Sequence, residues 1–339
     1  MSRLFFMIVS VGICLPSMQA SPAGSSGIAS QYKANLNQDV CRAMTRAADF
    51  LVAVQKPAKL GAVGWSWQVN QGPVSGNVAG LAAMSLLSAH STSGGETYLA
   101  AARRYADGLV TGKGGWTLTN LPYKADVQFL ARLASATGET RYRDTALAAF
   151  ELIRGRSPDG AREVARIASG RAKTPALLGF DAALGIRAAT AVSARRYAYQ
   201  MADAVLGRLS DWYLPKKNPR FSLVSGAALT EALDDLDAGH YRQYIERFRA
   251  DLQKAQQPNG AWLSNETQPS AYAVMALAGG NPAQRAAGQK GIDWIKSTML
   301  KKGSYAVYND FMPEPFVGQV ISEVHAEALS ALALACKTD

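Results

Sequence analysis

The sequence predicts an all-α protein, an (α/α)6 toroid in which six outer helices surround six inner helices. Three observations support this prediction. Apolar residues recur with helical periodicity, whereas the alternation typical of strands is nearly absent. The helical segments alternate between charged, amphipathic stretches and stretches rich in Ala, Gly, Ser and Leu. The loops before the second type recur at about 42 to 52 residues, the spacing of helical-pair repeats.

The two types of helix differ in how much of their surface meets water. An amphipathic helix keeps one wet face and is expected on the outside, whereas a helix surrounded by others is small or apolar on most sides. The predicted outer helices lie near residues 38–55, 95–110, 140–155, 194–209, 240–257 and 282–299. The predicted inner helices lie near residues 75–90, 122–137, 175–192, 222–238, 268–279 and 316–336. This asymmetry favours a closed ring over an open solenoid.

The first 20 residues have the features of a secretory signal peptide. Arg3 precedes an apolar stretch from Leu4 to about Leu15, and Ala20 offers a small residue for cleavage. An apolar stretch of roughly 12 residues is short for a bilayer span, so no stable membrane span is expected. An uncleaved N-terminal anchor is the alternative.

The sequence predicts three segments. Residues 1–20 are the signal peptide, and residues 21–36, which are rich in Ser, Gly and Ala, are expected to be a flexible linker. Residues 37–339 are expected to form a single toroid domain. This organisation predicts a secreted or periplasmic protein.

Two cysteines remain after removal of Cys14 with the signal peptide. Cys41 lies in the first turn of the first outer helix, and Cys336 lies in the last turn of the last inner helix. Ring closure brings these two helices together, and exported proteins often carry disulfides, so we expect a Cys41–Cys336 bond. Two unpaired buried thiols are the alternative, because free cysteine packs as a small hydrophobic residue.

The charge of the chain favours an anionic partner. The net charge is +10, and it falls to +9 once Arg3 is lost. On an exported protein this surplus suits an acidic polysaccharide or another anionic or small-molecule ligand. Nucleic acid is not expected, because the basic residues are scattered. The chain has neither Cys-x-x-Cys nor His-Glu-x-x-His, so no metal or other cofactor is expected.

One loop carries a family motif. Residues 257–262 read Gln-Pro-Asn-Gly-Ala-Trp and lead into a small-residue helix. This resembles the Q-x-x-G-x-W repeat of squalene and terpene cyclases, whose helical pairs also occur in protein prenyltransferases and in α/α-toroid polysaccharide lyases and glycosidases. Only this repeat carries the full motif. The resemblance implies the toroid architecture, but the motif itself is a packing device: Gly allows a tight turn and Trp packs across it.

The catalytic signatures of these families are missing. The cyclases use an Asp-x-Asp-Asp acid, whereas residues 234–237 here read Asp-Asp-Leu-Asp near the carboxyl end of an inner helix. We interpret this acidic segment as a solvated helix end on the face away from the Trp loops. The zinc ligands of the prenyltransferases are also absent.

The candidate site follows from position in the ring. The amino ends of the six inner helices share one mouth, where helix dipoles and free N–H groups favour anions. Glycosidases need paired carboxyl groups, whereas lyases need a cation and a proton-exchanging group such as Tyr. The candidate catalytic residues are Tyr123, Asp126, Tyr308 and Asp310, and the candidate substrate-binding residues are Trp67, Trp116, Lys124, Arg171, Arg220, Glu266, Tyr272 and His325.

Some of these residues also have a structural interpretation. Asp126 could complement the dipole in the first turn of its helix, and His325 could be a hydrogen-bonded core histidine.

Three functions remain open from the sequence. The first is a lyase or hydrolase that acts on an acidic polysaccharide. The second is a protein that binds or cyclises terpenoids or other lipids, and it requires an aromatic cavity. The third is a non-catalytic scaffold of the cell envelope, and it requires a cavity without a cluster of titratable groups whose pKa is perturbed.

Overall fold

The structure is a computed structural model that describes residues 25–57, 63–112, 117, 121–171, 175–300, 303–305 and 318–337. The body of the protein is the unit Asn37–Asp339. Its described residues are almost entirely helical, with one antiparallel pair of two-residue strands, β1 (Lys56–Pro57) and β2 (Val63–Gly64).

Six helices form the inner wall of the body. Each packs against the next in the sequence, and the last packs against the first, so the wall is a closed ring. These inner helices are α2 (Gly76–Ser93), α4 (Lys124–Thr137), α7 (Leu178–Ala191), α10 (Pro219–Asp237), α12 (Thr267–Ala278) and α14 (Ser322–Lys337).

Six further helices form the outer layer. They are α1 (Ser25–Ala53), α3 (Glu96–Gly112), α5 (Thr140–Arg156), α8 (Arg195–Leu206), α11 (Arg242–Ala255) and α13 (Pro282–Thr298). The fold is therefore the predicted all-α (α/α)6 toroid. The first helix begins at Ser25 and so covers residues 25–36, for which the sequence predicted a linker.

The third repeat contains an insertion that the sequence pattern did not predict. A short helix, α6 (Gly160–Arg166), is capped by Asp159, whose side chain accepts a hydrogen bond from the backbone N–H of Arg162. A π-helical turn (Ile167–Arg171) follows it, and α6 packs closely on α8. A second short helix, α9 (Leu209–Trp212), precedes α10.

Buried tryptophans connect the loops to the outer helices. The indole N–H groups of Trp65, Trp212 and Trp262 donate hydrogen bonds to backbone carbonyl groups of the preceding outer helix, at 2.8, 3.0 and 2.7 Å. All three side chains are fully buried. A buried indole needs a partner for its N–H, so these residues are structural anchors and not ligand-binding groups.

Tyrosine–aspartate hydrogen bonds link successive outer helices. The hydroxyl of Tyr98 on α3 donates to Asp49 on α1 at 2.9 Å, and that of Tyr142 on α5 donates to Asp107 on α3 at 2.8 Å. Tyr241, just before α11, donates to Asp203 on α8 at 2.8 Å. The pairing thus recurs at three joints of the outer layer, and we call these links together the tyrosine–aspartate belt.

The ring is closed covalently. Cys41 on α1 and Cys336 on α14 form a disulfide with a Cα–Cα distance of 5.1 Å, which confirms the predicted bond. The helices of the described chain include none that is long and apolar enough to cross a bilayer.

Candidate functional site

The amino ends of the inner helices meet at one mouth of the ring. The backbone N–H of Ser322 at the start of α14 donates to the carbonyl of Trp67, in the loop before α2, at 2.9 Å. At the opposite end, the hydroxyl oxygen of Thr92 on α2 lies 3.3 Å from the carbonyl oxygen of Ala333 on α14. The first and last inner helices are therefore parallel, as the sequence predicted.

A cleft opens at this mouth between α2, α4, α6 and α7. We call it the amino-terminal cleft, and its volume is about 360 Å³. Its polar and ionisable side chains are Asn77, Tyr123, Lys124, Glu163, Arg166, Asp181 and Glu323.

An ion network organises the cations of the cleft. Lys124 Nζ lies 3.3 Å from Glu163 Oε1 and donates a hydrogen bond to the backbone carbonyl of Asp181 at 3.1 Å. Arg166 donates two hydrogen bonds to the carboxylate of Glu163, at 2.8 and 3.1 Å. Burial opposes ionisation of Glu163, but the hydrogen bonds and charges of Arg166 and Lys124 outweigh it and lower its pKa. One carboxylate thus holds two cations in place, and these three groups together carry one positive charge, which Asp181 and Glu323 face from the same cleft.

Two further groups give the cleft acid–base capacity. The ring of Tyr123 is 49% exposed, although it immediately precedes α4. Burial raises the pKa of the Asp181 carboxyl group, and the charge of Lys124 opposes that rise. Glu323 accepts a hydrogen bond from the indole N–H of Trp67 at 3.3 Å, so the predicted Trp67 contributes by orienting a cleft carboxylate.

A second, central cavity lies deeper in the ring. It has a volume of about 320 Å³ and is lined by residues of all six inner helices. Its ionisable side chains are Arg132, Arg187, Glu231, Asp234, Asp235, Tyr272 and Glu327. The predicted Tyr272 therefore faces this cavity, where Gln268 donates a hydrogen bond to Glu327 at 3.1 Å.

The acidic segment at the end of α10 is partly solvated, as interpreted, since the side chain of Asp235 is 49% exposed, but its carboxylates also make ion pairs. The carboxylate of Asp234 is paired with Arg249. Arg187 lies 3.2 Å from Glu231 and 3.9 Å from Asp235, and all three line the central cavity. Burial raises the pKa of Glu231, an effect that the charge of Arg187 opposes. The segment is thus part of the cavity wall.

Two predicted site residues are buried structural groups. Asp126 is 2% exposed and accepts a hydrogen bond from the hydroxyl of Tyr105 at 2.8 Å. His325 is fully buried, and its Nδ1 accepts a hydrogen bond from the backbone N–H of Tyr305 at 3.1 Å. Its Nε2 therefore carries the proton and donates to the carbonyl of Ala47 at 2.8 Å. Neither side chain lines the amino-terminal cleft or the central cavity.

Arg220 and Glu266 form a buried ion pair between the starts of α10 and α12. Arg220 also donates a hydrogen bond to Gln268 at 3.1 Å. These residues lie at the predicted mouth, but they line neither the cleft nor the central cavity. Trp116, Tyr308 and Asp310 lie outside the described residues, as does the side chain of Arg171.

The structure adds residues that the repeat pattern did not single out. Glu163 lies on the inserted helix α6, which has no counterpart in the other repeats, so no periodicity marked it. Arg187 and Glu231 sit in small-residue inner helices, and an isolated charge on such a wall is the signal that could have identified them. Within the described residues, no group of His, Cys, Asp and Glu has the arrangement of a metal site.

The sequence matches no protein-family model and no curated protein. Solved structures, however, include clear relatives in shape. A variant of the type II terpene cyclase MstE from Scytonema, in complex with merosterolic acid A, has a TM-score of 0.59 at 16% identity over 89% of this chain and 98% of its own. An inactive variant of an α-1,6-mannanase from Salegentibacter sp. HEL1_6, bound to α-1,6-mannotriose, has a TM-score of 0.57 at 12% identity over 88% of this chain and 99% of its own.

A third relative is a polysaccharide lyase, with a TM-score of 0.56 at 14% identity over 88% of this chain and 97% of its own. All three are α/α toroids. The chain has the α/α-toroid fold. At these identities the likeness establishes the fold of the toroid alone, because this fold hosts many chemistries.

Proposed function

We propose that the toroid is an enzyme that cleaves an acidic polysaccharide by elimination outside the cytoplasm, with the amino-terminal cleft as its active site. The observation that carries this proposal is the grouping of an exposed Tyr123 with Lys124 and Arg166 in one cleft. The Cys41–Cys336 disulfide supports an oxidising location, secreted or periplasmic. The mannanase and the lyase among the structural relatives support a polysaccharide as substrate.

The cleft offers the groups that elimination requires. A uronic acid loses the proton on the carbon next to its carboxylate, the bond from the adjacent ring carbon to the glycosidic oxygen breaks, and that oxygen gains a proton. Lys124 and Arg166 would neutralise the carboxylate and so stabilise the anion that forms. The hydroxyl of Tyr123 would exchange the protons. The positive ends of the α2, α4 and α7 dipoles add to the attraction of an anionic sugar.

The central cavity argues against a terpenoid substrate. It carries Arg132, Arg187, Glu231 and Asp235, and an apolar polyene would remove water from these charges without replacing their hydrogen bonds. A passive scaffold is disfavoured as well, because Asp181 and Glu231 both have a raised pKa within cavities.

Hydrolysis is the second candidate reaction. Asp181, whose pKa is raised by burial, and Glu323 provide two carboxyl groups in the same cleft. A protonated Asp181 could act as the acid and Glu323 as the base or nucleophile.

The decisive experiment measures two products at once. Purified protein is incubated with pectate, alginate and hyaluronan, and the absorbance of unsaturated uronate and the number of new reducing ends are recorded. Elimination raises both signals, whereas hydrolysis raises only the reducing ends and would replace elimination as the reaction. If none of the substrates gives either signal, the proposal is overturned.

Matched variants test the site. Tyr123→Phe should lower kcat by roughly 100-fold or more, and Lys124→Ala should lower kcat and also raise KM. The controls are Tyr244→Phe and Lys254→Ala on the outer helix α11, away from the cleft, and both should keep wild-type kinetics. Equal activity of Tyr123→Phe and Tyr244→Phe would remove Tyr123 from the mechanism.

A further inference from the structure

A third cavity, also polar, lies at the opposite mouth of the ring, between the carboxyl ends of the inner helices. We call it the carboxyl-terminal cavity, and its volume is about 780 Å³. It shares Arg132, Arg187 and Asp235 with the central cavity, but it shares no lining residue with the amino-terminal cleft. The proposed reaction therefore makes no use of this space.

Arg132 is the main reason to regard this cavity as a binding site. It lines the cavity and is accessible to solvent, yet its guanidinium makes no hydrogen bond or ion pair with any described residue. The neighbouring Arg187, in contrast, is held by Glu231 and Asp235. Desolvation and the charge of Arg187 lower the pKa of Arg132, and the charges of Asp235 and Glu231 only partly oppose this. An anion placed between the two guanidiniums would relieve both effects.

Two buried polar atoms of the same wall also lack partners. Gln128 is 2% exposed, and its Oε1 has no hydrogen-bond partner in the described part of the chain. The same holds for Thr190 Oγ1 on α7. Both atoms are closed off from the open cavity, so they show that the wall is polar beneath its surface and do not contact a ligand directly.

The remaining hydroxyl groups of the cavity are poised to accept hydrogen bonds. Ser88, Ser91, Thr92 and Ser135 each donate their hydroxyl proton to the backbone carbonyl four residues earlier, at 3.1, 2.9, 3.0 and 3.1 Å. Their oxygen lone pairs therefore remain available in the cavity. A ligand that donates hydrogen bonds from several hydroxyl groups fits this lining.

The charges around the cavity further restrict the class of ligand that it can bind. The carboxyl ends of helices carry partial negative charge and disfavour anions. The cavity nevertheless carries Arg132, Arg187 and Lys337 against Asp235, and with Glu231 paired to Arg187 the surplus is one positive charge. An anion here would be held by guanidinium groups, which pair with carboxylates through two parallel hydrogen bonds.

From these observations we infer that the carboxyl-terminal cavity is a second binding site, for a hydroxylated carboxylate of the size of one or two uronic acid units, with Arg132 as its anchor. The carboxylate pairs with Arg132, and the sugar hydroxyls donate to the hydroxyl oxygens of α2 and α4. The site stands independently of the proposed reaction, because no residue of the cleft contributes to it.

The test measures binding of D-glucuronate by isothermal titration calorimetry, with D-glucose as the neutral probe of equal size. Glucuronate should bind at least tenfold more tightly than glucose, and Arg132→Gln should abolish that preference. The matched control is Arg196→Gln on the outer helix α8, since Arg196 is exposed and also makes no hydrogen bond or ion pair with the described residues. This variant should bind glucuronate as the wild type does.

Two further variants separate this cavity from the cleft. Ser135→Ala should weaken glucuronate binding severalfold without unfolding the protein, which circular dichroism would verify. Lys124→Ala should leave intact the part of the binding that depends on Arg132, which is measured as the difference between Lys124→Ala and Lys124→Ala combined with Arg132→Gln. Loss of binding in Lys124→Ala but not in Arg132→Gln would place the ligand in the amino-terminal cleft and overturn the inference, as would equal binding of glucose and glucuronate. This test does not measure activity on polysaccharides, so the binding result would stand even if the proposed reaction were not observed.

Discussion

Cys41 and Cys336 are covalently bonded across 295 positions of sequence, and they join the first outer helix to the last inner helix. The bond therefore spans nearly the whole ring and restricts the unfolded chain strongly. Chain-entropy reasoning gives a stabilisation of roughly 5 kcal/mol for so long a loop.

The first prediction concerns this bond. Cys41→Ser combined with Cys336→Ser should lower the free energy of unfolding by several kcal/mol, measured by urea denaturation followed by circular dichroism. Reduction of the wild type should lower its stability to that of the double variant. The double variant itself should not respond to the reductant, and a response would show that reduction acts elsewhere.

The second prediction concerns pH and the buried Asp126. Burial raises the pKa of its carboxyl group to about 7 from 3.8, although the hydrogen bond from Tyr105 opposes the rise. Between pH about 4 and about 7 the folded state keeps a proton that the unfolded state releases, so this group makes stability fall as pH rises. The loss levels off above that window and amounts to a few kcal/mol.

Asp126→Asn removes the ionisation and keeps an acceptor for Tyr105. Its stability relative to the wild type should therefore improve from pH 4 to pH 7, as measured by the urea midpoint at each pH. Asp144→Asn, at an exposed position on α5, is the control and should show no comparable trend. If the difference in stability between Asp126→Asn and the wild type stayed constant from pH 4 to pH 7, Asp126 would be ionised in the folded protein over that whole range.

The third prediction compares two glycines of α13. A Cβ atom at Gly291 would lie 2.6 Å from the side chain of Val274 and 2.8 Å from that of Trp262, whereas at Gly288 the nearest atom would lie 3.6 Å away. Gly291→Ala should therefore cost about 1–3 kcal/mol through overpacking. Gly288→Ala should be neutral or stabilising by up to about 1 kcal/mol, because alanine favours the helix.

Thermal unfolding of the two variants checks this comparison. Since both substitutions lie in one helix, the change in helix propensity cancels between them. Equal melting temperatures would mean that α13 shifts to accommodate the added methyl group.

The sequence predicted the twelve helices of the toroid because their periodicity and composition differ between the two layers. The inner helix predicted at 268–279 is observed at Thr267–Ala278, and the outer helix predicted at 140–155 is observed at Thr140–Arg156. The inner helix predicted at 222–238 begins earlier, at Pro219, because Asn218 caps it and Pro219 occupies its first turn. Residues 25–36 are helical despite their linker-like composition.

The same reasoning from the sequence predicted only part of the candidate site. Position at the start of α4 sufficed to place Tyr123 and Lys124 at the mouth. Position alone could not show that Asp126, unlike these two residues, is buried outside the cleft, because the direction of a side chain within the first helical turn depends on the neighbouring helix. It also gave no sign of α6, whose Glu163 and Arg166 complete the cleft, since an insertion has no partner in the other repeats.

The belt of tyrosine–aspartate bonds is interrupted beside the cleft. Tyr197 on α8 is the counterpart of Tyr142 on α5, but its hydroxyl is buried without a hydrogen-bond partner among the described residues. Its ring packs edge-to-face on Phe150 of α5 instead, with the ring centroids 5.3 Å apart. Widening the ring at this joint therefore breaks no tyrosine–aspartate bond, whereas widening it at any of the three linked joints breaks one.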